Sequence, residues 1–303
     1  MKTENKLKSW LQAFRLRTLP LSLSCILLGS FLAYANKPFS GLVLTLAILT
    51  TLFLQILSNL ANDYGDSEKG TDNDSRIGPE RAIQSGSISF AEMKRAIYIF
   101  GVLAFVSGLS LIYFGMSGLP LSYYLGFLLL GLLAIWAAIK YTVGDNAYGY
   151  RGLGDVFVFL FFGLTGVMGT YFLHTHSFDL DVLLPASTVG FLSVGVLNLN
   201  NMRDRISDQA SGKNTLAVKF GFKGSKIYHT IIMLSAIASV CLFTLMNYQS
   251  PFQLIFLLAF PLIIHNIITV IKIVEPKQYD PLLKKLAMTT LLFVLTFGIG
   301  LIL

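Results

Sequence analysis

Two short stretches hold most of the side chains able to do chemistry: NLANDYGDSEKGTD, residues 59–72, and NLNNMRDRISD, residues 198–208. On a helix, Asn59, Asn62, Asp63 and Asp66 stand three and four apart and share a face, as do Asn201, Asp204 and Asp208. Carboxylates this close repel one another, and a shared divalent cation resolves the repulsion. Donors that are all oxygen suit a hard ion. Magnesium binds through a few carboxylates and completes its shell with water and substrate phosphates. Asp72 ends the first stretch and extends the same oxygen set. Two such clusters facing each other could clamp a diphosphate and make it a better leaving group. Lys69, Arg76, Arg81, Arg203 and Lys213 are near in sequence and could neutralise further phosphate oxygens. Each cluster leads into a loop with Gly and Lys, Lys69-Gly70 and Gly212-Lys213, so the chain carries a weak two-fold repeat. The opposing reading is that these carboxylates are solvated helix ends. It suits one cluster better than two, because amides such as Asn198, Asn200 and Asn201 at membrane depth are costly without a partner.

These clusters need rigid elements, and composition says which. The chain has 303 residues, 54% hydrophobic and 13% charged, against about 25% charged in soluble domains. A membrane span needs roughly 20 mostly apolar residues. Nine stretches qualify, near 19–35, 42–60, 96–115, 120–139, 155–173, 182–199, 228–246, 252–273 and 286–302. They lack the short alternation of barrel strands, so helices are expected throughout. The fold class is therefore all-α integral membrane, one unit over residues 1–303. The run after Lys2, Lys6 and Lys8 is long and is followed by many like it, so it reads as an uncleaved first span. Cys25 and Cys241 sit alone in separate apolar runs and suggest neither a disulfide nor a thiolate metal site.

Charge orients the bundle. Of the 23 Lys and Arg residues, all but Lys37 fall in the N-terminal segment or in the connections after spans two, four, six and eight. This is the positive-inside pattern. It places the N-terminus and both acidic clusters on the cytoplasmic side of the cytoplasmic (inner) membrane. The net charge of +7 thus belongs to one face. Membrane lipids or an anionic substrate are its natural counterpart, and a nucleic-acid partner is not expected.

At this point a resemblance enters. The two clusters resemble the paired aspartate motifs of the UbiA superfamily of intramembrane prenyltransferases. RLRTLPLS (15–22), residues 55–86, YTVGDNAYGYRGLGD (141–155) and residues 198–221 are similar to its menaquinone-forming subgroup. The superfamily pattern has a further Asp four residues after Asp66. Here Gly70 stands there and Asp72 follows, as in the subgroup. The resemblance implies a nine-helix bundle around a central cavity open to lipid. It implies that Asn59, Asn62, Asp63, Asp66, Asp204 and Asp208 hold Mg2+ and a polyprenyl diphosphate. It further implies capture of the allylic carbocation by 1,4-dihydroxy-2-naphthoate, with loss of carbon dioxide.

On the same resemblance, Arg15, Tyr141, Tyr148 and Asp155 are acceptor-site residues. Read alone, Arg15 and Arg17 are equally topology-setting charges, and the tyrosines are interfacial anchors. His174 and His176 fall on the outer side, away from the carboxylates, and His265 next to Asn266 could make a buried polar contact. Rival functions are prenyl transfer to another aromatic acceptor and cation-coupled transport. Transport would place Asp or Glu near mid-span, whereas here the acids gather at inner helix ends.

Overall fold

A computed structural model describes residues 2–35, 39–72 and 77–303. Among these, nine helical segments are long and apolar enough to cross a membrane. A short amphipathic helix, α1 (Lys2–Ala13), precedes them. Spans one to four are α2 (Leu19–Ala35), α3 (Gly41–Glu68), α4 (Phe90–Gly115) and α5 (Leu121–Lys140). The fifth is composite: α6 (Gly154–Val158), a π-helical stretch over Phe159–Met168, then α7 (Gly169–Thr175). Next come α8 (Leu183–Ala210) and α9 (Leu216–Met246), which bends at Gly221. A 3-10 stretch over Pro251–Ala259 continues into α10 (Phe260–Lys272), and α11 (Asp280–Ile302) closes the chain.

The elements start where local chemistry allows. The Ser40 hydroxyl caps α3 by accepting from the Val43 N–H at 3.3 Å. Ser89 and Glu92 form a capping box on α4, and Thr215 caps α9. Several helices outrun the apolar stretches read from the sequence. α9 begins at Leu216 rather than near 228, because hydropathy marks only the part immersed in lipid while Lys219, Lys223 and Lys226 continue the helix beyond it.

α8 is the axis of the bundle, with more than half of its apolar stretch buried, chiefly against α9. By contrast α4 and α5 bury little of theirs and pack on α3 at the rim. A second, smaller core sits at the charged end, where Trp10 and Ala13 of α1 and Phe14 meet Leu60, Met93 and Phe100. It fixes the N-terminal segment over the end of α3. In α10 the buried polar contact is made by Asn266, whose Oδ1 lies 2.8 Å from Nε2 of His229. His265 is exposed and bonds within its own helix to Thr269.

Candidate active site

The two acidic clusters end their helices in the same way. After α3, the Thr71 N–H bonds to the Asp66 carbonyl (2.9 Å) and the Gly70 N–H to that of Ser67 (3.2 Å). After α8, the Lys213 N–H bonds to the Asp208 carbonyl (2.8 Å) and the Gly212 N–H to that of Gln209 (3.2 Å). Both are Schellman closures, and the left-handed residue each requires is a glycine, Gly70 at φ 69° and Gly212 at φ 75°. The second aspartate of each cluster occupies the same position in each closure. Carboxylates there meet the negative end of the helix dipole, which disfavours them. Their location is costly for folding and so calls for cations.

In the first cluster those cations come from three segments. Asp63 is 1% exposed. It pairs with Arg15 and, at 3.3 Å, with Arg81. The Arg15 guanidinium also donates to Asn62 Oδ1 at 3.1 Å. Arg15 adopts φ 50°, a left-handed conformation rare outside glycine and a mark of a site that holds strain. Asn59 steadies this segment: its amide donates to the Phe14 carbonyl at 2.9 Å, and its oxygen accepts from Gln55 at 3.3 Å. Arg81 Nε stands 3.9 Å from Asp72, which is buried. Leu11, Arg15, Arg17, Asp63, Glu80 and Arg81 line a cavity of about 240 Å³. The loop over it is tied down by the Gln12 side chain, which donates to the Glu80 carbonyl at 2.8 Å.

Asp66 faces the second cluster. Lys213 Nζ sits 3.2 Å from both its oxygens. Burial alone would lower the Lys213 ammonium, but the Asp66 and Asp208 carboxylates beside it lift it above the ordinary lysine range. Tyr150 donates to Asp66 Oδ1 at 2.9 Å and lies 2.5 Å from the Thr71 hydroxyl. Its carbonyl accepts from the Asn214 N–H at 3.0 Å, so one residue reaches both cluster loops. Lys69 sits 4.0 Å over the Tyr150 ring and donates to the carbonyls of Thr142 and Gly144, each at 2.8 Å. Desolvation holds Lys69 below the ordinary lysine range.

On α8, Asn201, Asp204 and Asp208 are all buried. Arg203 has no exposure and donates to Asp204 through Nε (2.8 Å) and Nη2 (2.7 Å), to Asn200 Oδ1 (2.8 Å), and to Asp280 at the start of α11. Arg203, expected to meet a diphosphate, turns its donors to Asp204, Asn200 and Asp280. Asn198 donates to the Ser225 carbonyl at 3.2 Å and fastens α8 to α9.

Tyr141 stands among Asp66, Asp155, Asp208 and Lys213. Burial pushes its phenol up to about 12, and Lys213, Asp66, Asp155 and Asp208 all act on it. Asp155, buried at the start of α6, accepts from the Tyr228 hydroxyl at 3.1 Å. Tyr148 stacks on Phe157 at 3.9 Å between ring centroids and donates to the Ala137 carbonyl at 2.9 Å. Arg15 stands apart from these three, in the cavity by Asp63. Arg76 lies outside the described residues. On the opposite side, His174 bonds to Ser30 and accepts from the Ser40 N–H, and His176 bonds to the Gly115 carbonyl. Tyr150 and Asp280 were missed in the sequence, because neither has a motif of its own. The nearest signal for Tyr150 was the Gly- and Tyr-rich loop 141–155.

The donor set suits magnesium. Among the described residues no three His, Cys, Asp or Glu side chains gather into a ready metal cage. What is offered is a pair of carboxylates with amide oxygens on each of two helix ends. A hard ion held by few carboxylates and completed by phosphate oxygens needs such an open set.

Comparisons with known proteins show the family and the fold. The profile of the UbiA prenyltransferase family matches residues 22–298. The chain is 46% identical to a Haemophilus influenzae protein named 1,4-dihydroxy-2-naphthoate octaprenyltransferase, over 98% of this chain and 96% of that one. An Escherichia coli protein of the same name is 42% identical over 99% and 96%. Of solved structures, an Aeropyrum pernix UbiA homologue superposes with a TM-score of 0.69 at 17% identity, covering 95% of this chain and 98% of that one. An Archaeoglobus fulgidus UbiA homologue bound to DMAPP and Mg2+ gives 0.64 at 16%, covering 97% and 99%. At such identities the likeness to the solved structures is one of fold.

Proposed function

Because the chain belongs to the UbiA prenyltransferase family, we propose that it transfers a polyprenyl chain from polyprenyl diphosphate to 1,4-dihydroxy-2-naphthoate, as a single transmembrane unit over residues 1–303. The observation that carries this reading is the Lys213–Asp66 contact. It joins the loop that follows the second cluster to a buried carboxylate of the first, so the two helix ends meet. The names of the relatives from Haemophilus influenzae and Escherichia coli supply the acceptor and suggest octaprenyl as the donor length to try first.

Asn59, Asn62, Asp63, Asp66 and Asp72 on one side, and Asn201, Asp204 and Asp208 on the other, would hold Mg2+. Bound there with the diphosphate, the ion would supply Lewis-acid stabilisation of the departing phosphate charge. The chain's own cations add to this. Lys69, Arg81 and Lys213 stand beside the carboxylates and can donate to phosphate oxygens; Arg76, between Lys69 and Arg81 in sequence, would add to them. The allylic C–O bond breaks with its electron pair on the diphosphate. The electron-rich ring then supplies the pair for the new C–C bond. Carbon dioxide leaves, and its bond pair stays on the ring, so the product is demethylmenaquinone in its quinol form. Arg15 in the cavity by Asp63 suits the acceptor carboxylate, while Tyr141, Tyr148 and Asp155 suit the ring and its hydroxyls. The exposed apolar helix faces suit membrane lipids and the prenyl tail. The charged end would face the cytoplasm, in the inner membrane.

The test is direct. Membranes containing the protein are incubated with dihydroxynaphthoate, octaprenyl diphosphate and magnesium, and the quinone is analysed by mass. Formation of the decarboxylated octaprenyl product is expected. Exclusive use of 4-hydroxybenzoate or another acceptor would overturn the assignment.

A further inference from the structure

Asp280 opens α11, 72 residues after the second cluster ends, and belongs to no motif. Yet it reaches the cluster through one buried side chain. Arg203 lies between two carboxylates, with Nε and Nη2 on the two oxygens of Asp204 and Nη1 on Asp280 Oδ1. Arg17 approaches the same Asp280 oxygen at 3.7 Å.

The charge balance makes this arrangement more than a fastening. A guanidinium on one carboxylate cancels its charge. Shared between two, it is drawn partly away from Asp204, while Arg17 at 3.7 Å offsets part of the charge on Asp280. The plane of Asp204 is fixed by the bidentate contact. Without Asp280, Arg203 would be buried against Asp204 alone and would compete with a cation for it. The anchor on the far side also sets where the guanidinium lies, and so where the Asp204 oxygens point.

We propose that Asp280 is a positioning residue for prenyl transfer, which shares Arg203 with Asp204 and so keeps Asp204 oriented for the divalent cation. This rests on the reading of Asp204 as a cation ligand, and the experiment separates the two. Mn2+ serves as the probe. Its binding to the purified full-length protein in detergent, with geranyl thiodiphosphate present as an unreactive diphosphate, is followed by the loss of the free-ion electron paramagnetic resonance signal. Removing a partner one step behind a metal ligand typically weakens metal binding about 10- to 100-fold. Asp280→Asn is expected to weaken Mn2+ by at least about tenfold on that basis, with the KM for dihydroxynaphthoate unchanged. Asp280→Glu, which keeps the charge, is expected to restore most of the affinity. Asp280→Ala replaces Asp280→Asn if the latter does not fold.

A purely structural role predicts lower thermal stability in Asp280→Asn with Mn2+ binding as in the wild type. That result, alongside weakened binding in Asp204→Asn, would overturn the role of Asp280 and leave the cation site standing. Wild-type Mn2+ binding by Asp204→Asn would overturn both.

Discussion

Asp63, Asp66, Asp204 and Asp208 are buried at the C-terminal ends of helices, where the backbone dipole opposes negative charge. Stability alone would not select them, and Asp63, Asp66 and Asp204 are each held by a neighbouring cation. Loss of a dominant electrostatic contact to developing charge costs about 100- to 1,000-fold in rate. Asp→Ala at any of the four is expected to slow prenyl transfer by that much while the protein stays folded in detergent. Because they act as a unit, a double replacement should cost far less than the product of the singles. Near-normal turnover by folded Asp63→Ala and Asp204→Ala would defeat the two-cluster mechanism. Tyr150 gives a subtler test. Tyr150→Phe keeps the ring under Lys69 and removes the hydroxyl on Asp66. A hydrogen bond to a charged group is worth about 1.5–3 kcal/mol, so a loss of about tenfold or more in kcat/KM is expected from steady-state rates.

Between elements, the end of α3 is pressed against the loop that begins at Tyr141. The Thr142 hydroxyl donates to the Ala61 carbonyl at 3.0 Å. A Cβ on Gly65 would come within 2.7 Å of the Thr142 carbonyl. Gly65 lies between Asp63 and Asp66, so only a residue without a side chain lets both carboxylates and the Tyr150 loop share this space. Gly65→Ala is expected to push the helix end away from the loop, with a cost of about 1–3 kcal/mol in stability from overpacking and a larger loss of activity. At Gly126 on the rim a Cβ would meet nothing within 4 Å, so Gly126→Ala should leave both unchanged. Thermal unfolding in detergent, alongside prenyl-transfer rates, checks the pair. Equal activity in the two variants would show that the helix–loop contact does not set the site.

At the scale of the molecule, the basic connections and both clusters belong to one end, while Ser177 lies in the connection after α7 at the other. Ser87 and Ser177 are both exposed. A cysteine at Ser177 is expected to react with an impermeant thiol reagent in intact cells, and one at Ser87 only after the membrane is opened. The reverse pattern would invert the orientation. The carboxylate sets also predict that a chelator abolishes turnover and that added magnesium restores it. Full activity in excess chelator would rule out the cation clamp.

Helix type, the approximate spans, the two acidic faces and their common side were legible in the chain, because each depends on residues a few positions apart. Apolar length decides immersion, three- and four-residue spacing decides which carboxylates share a face, and the glycine after each cluster decides how its helix ends. Pairing was not legible. Lys213 meets Asp66 across 147 positions, Arg81 turns to Asp63, and Arg203 is shared with Asp280. Any of the basic residues on that face could have met any carboxylate as far as local pattern goes. Only the packing of α3, α8 and α11, with the loop carrying Tyr150 laid between two of their ends, brings specific charges within hydrogen-bond range. An ion pair depends on distance in space, and a sequence records only distance along the chain.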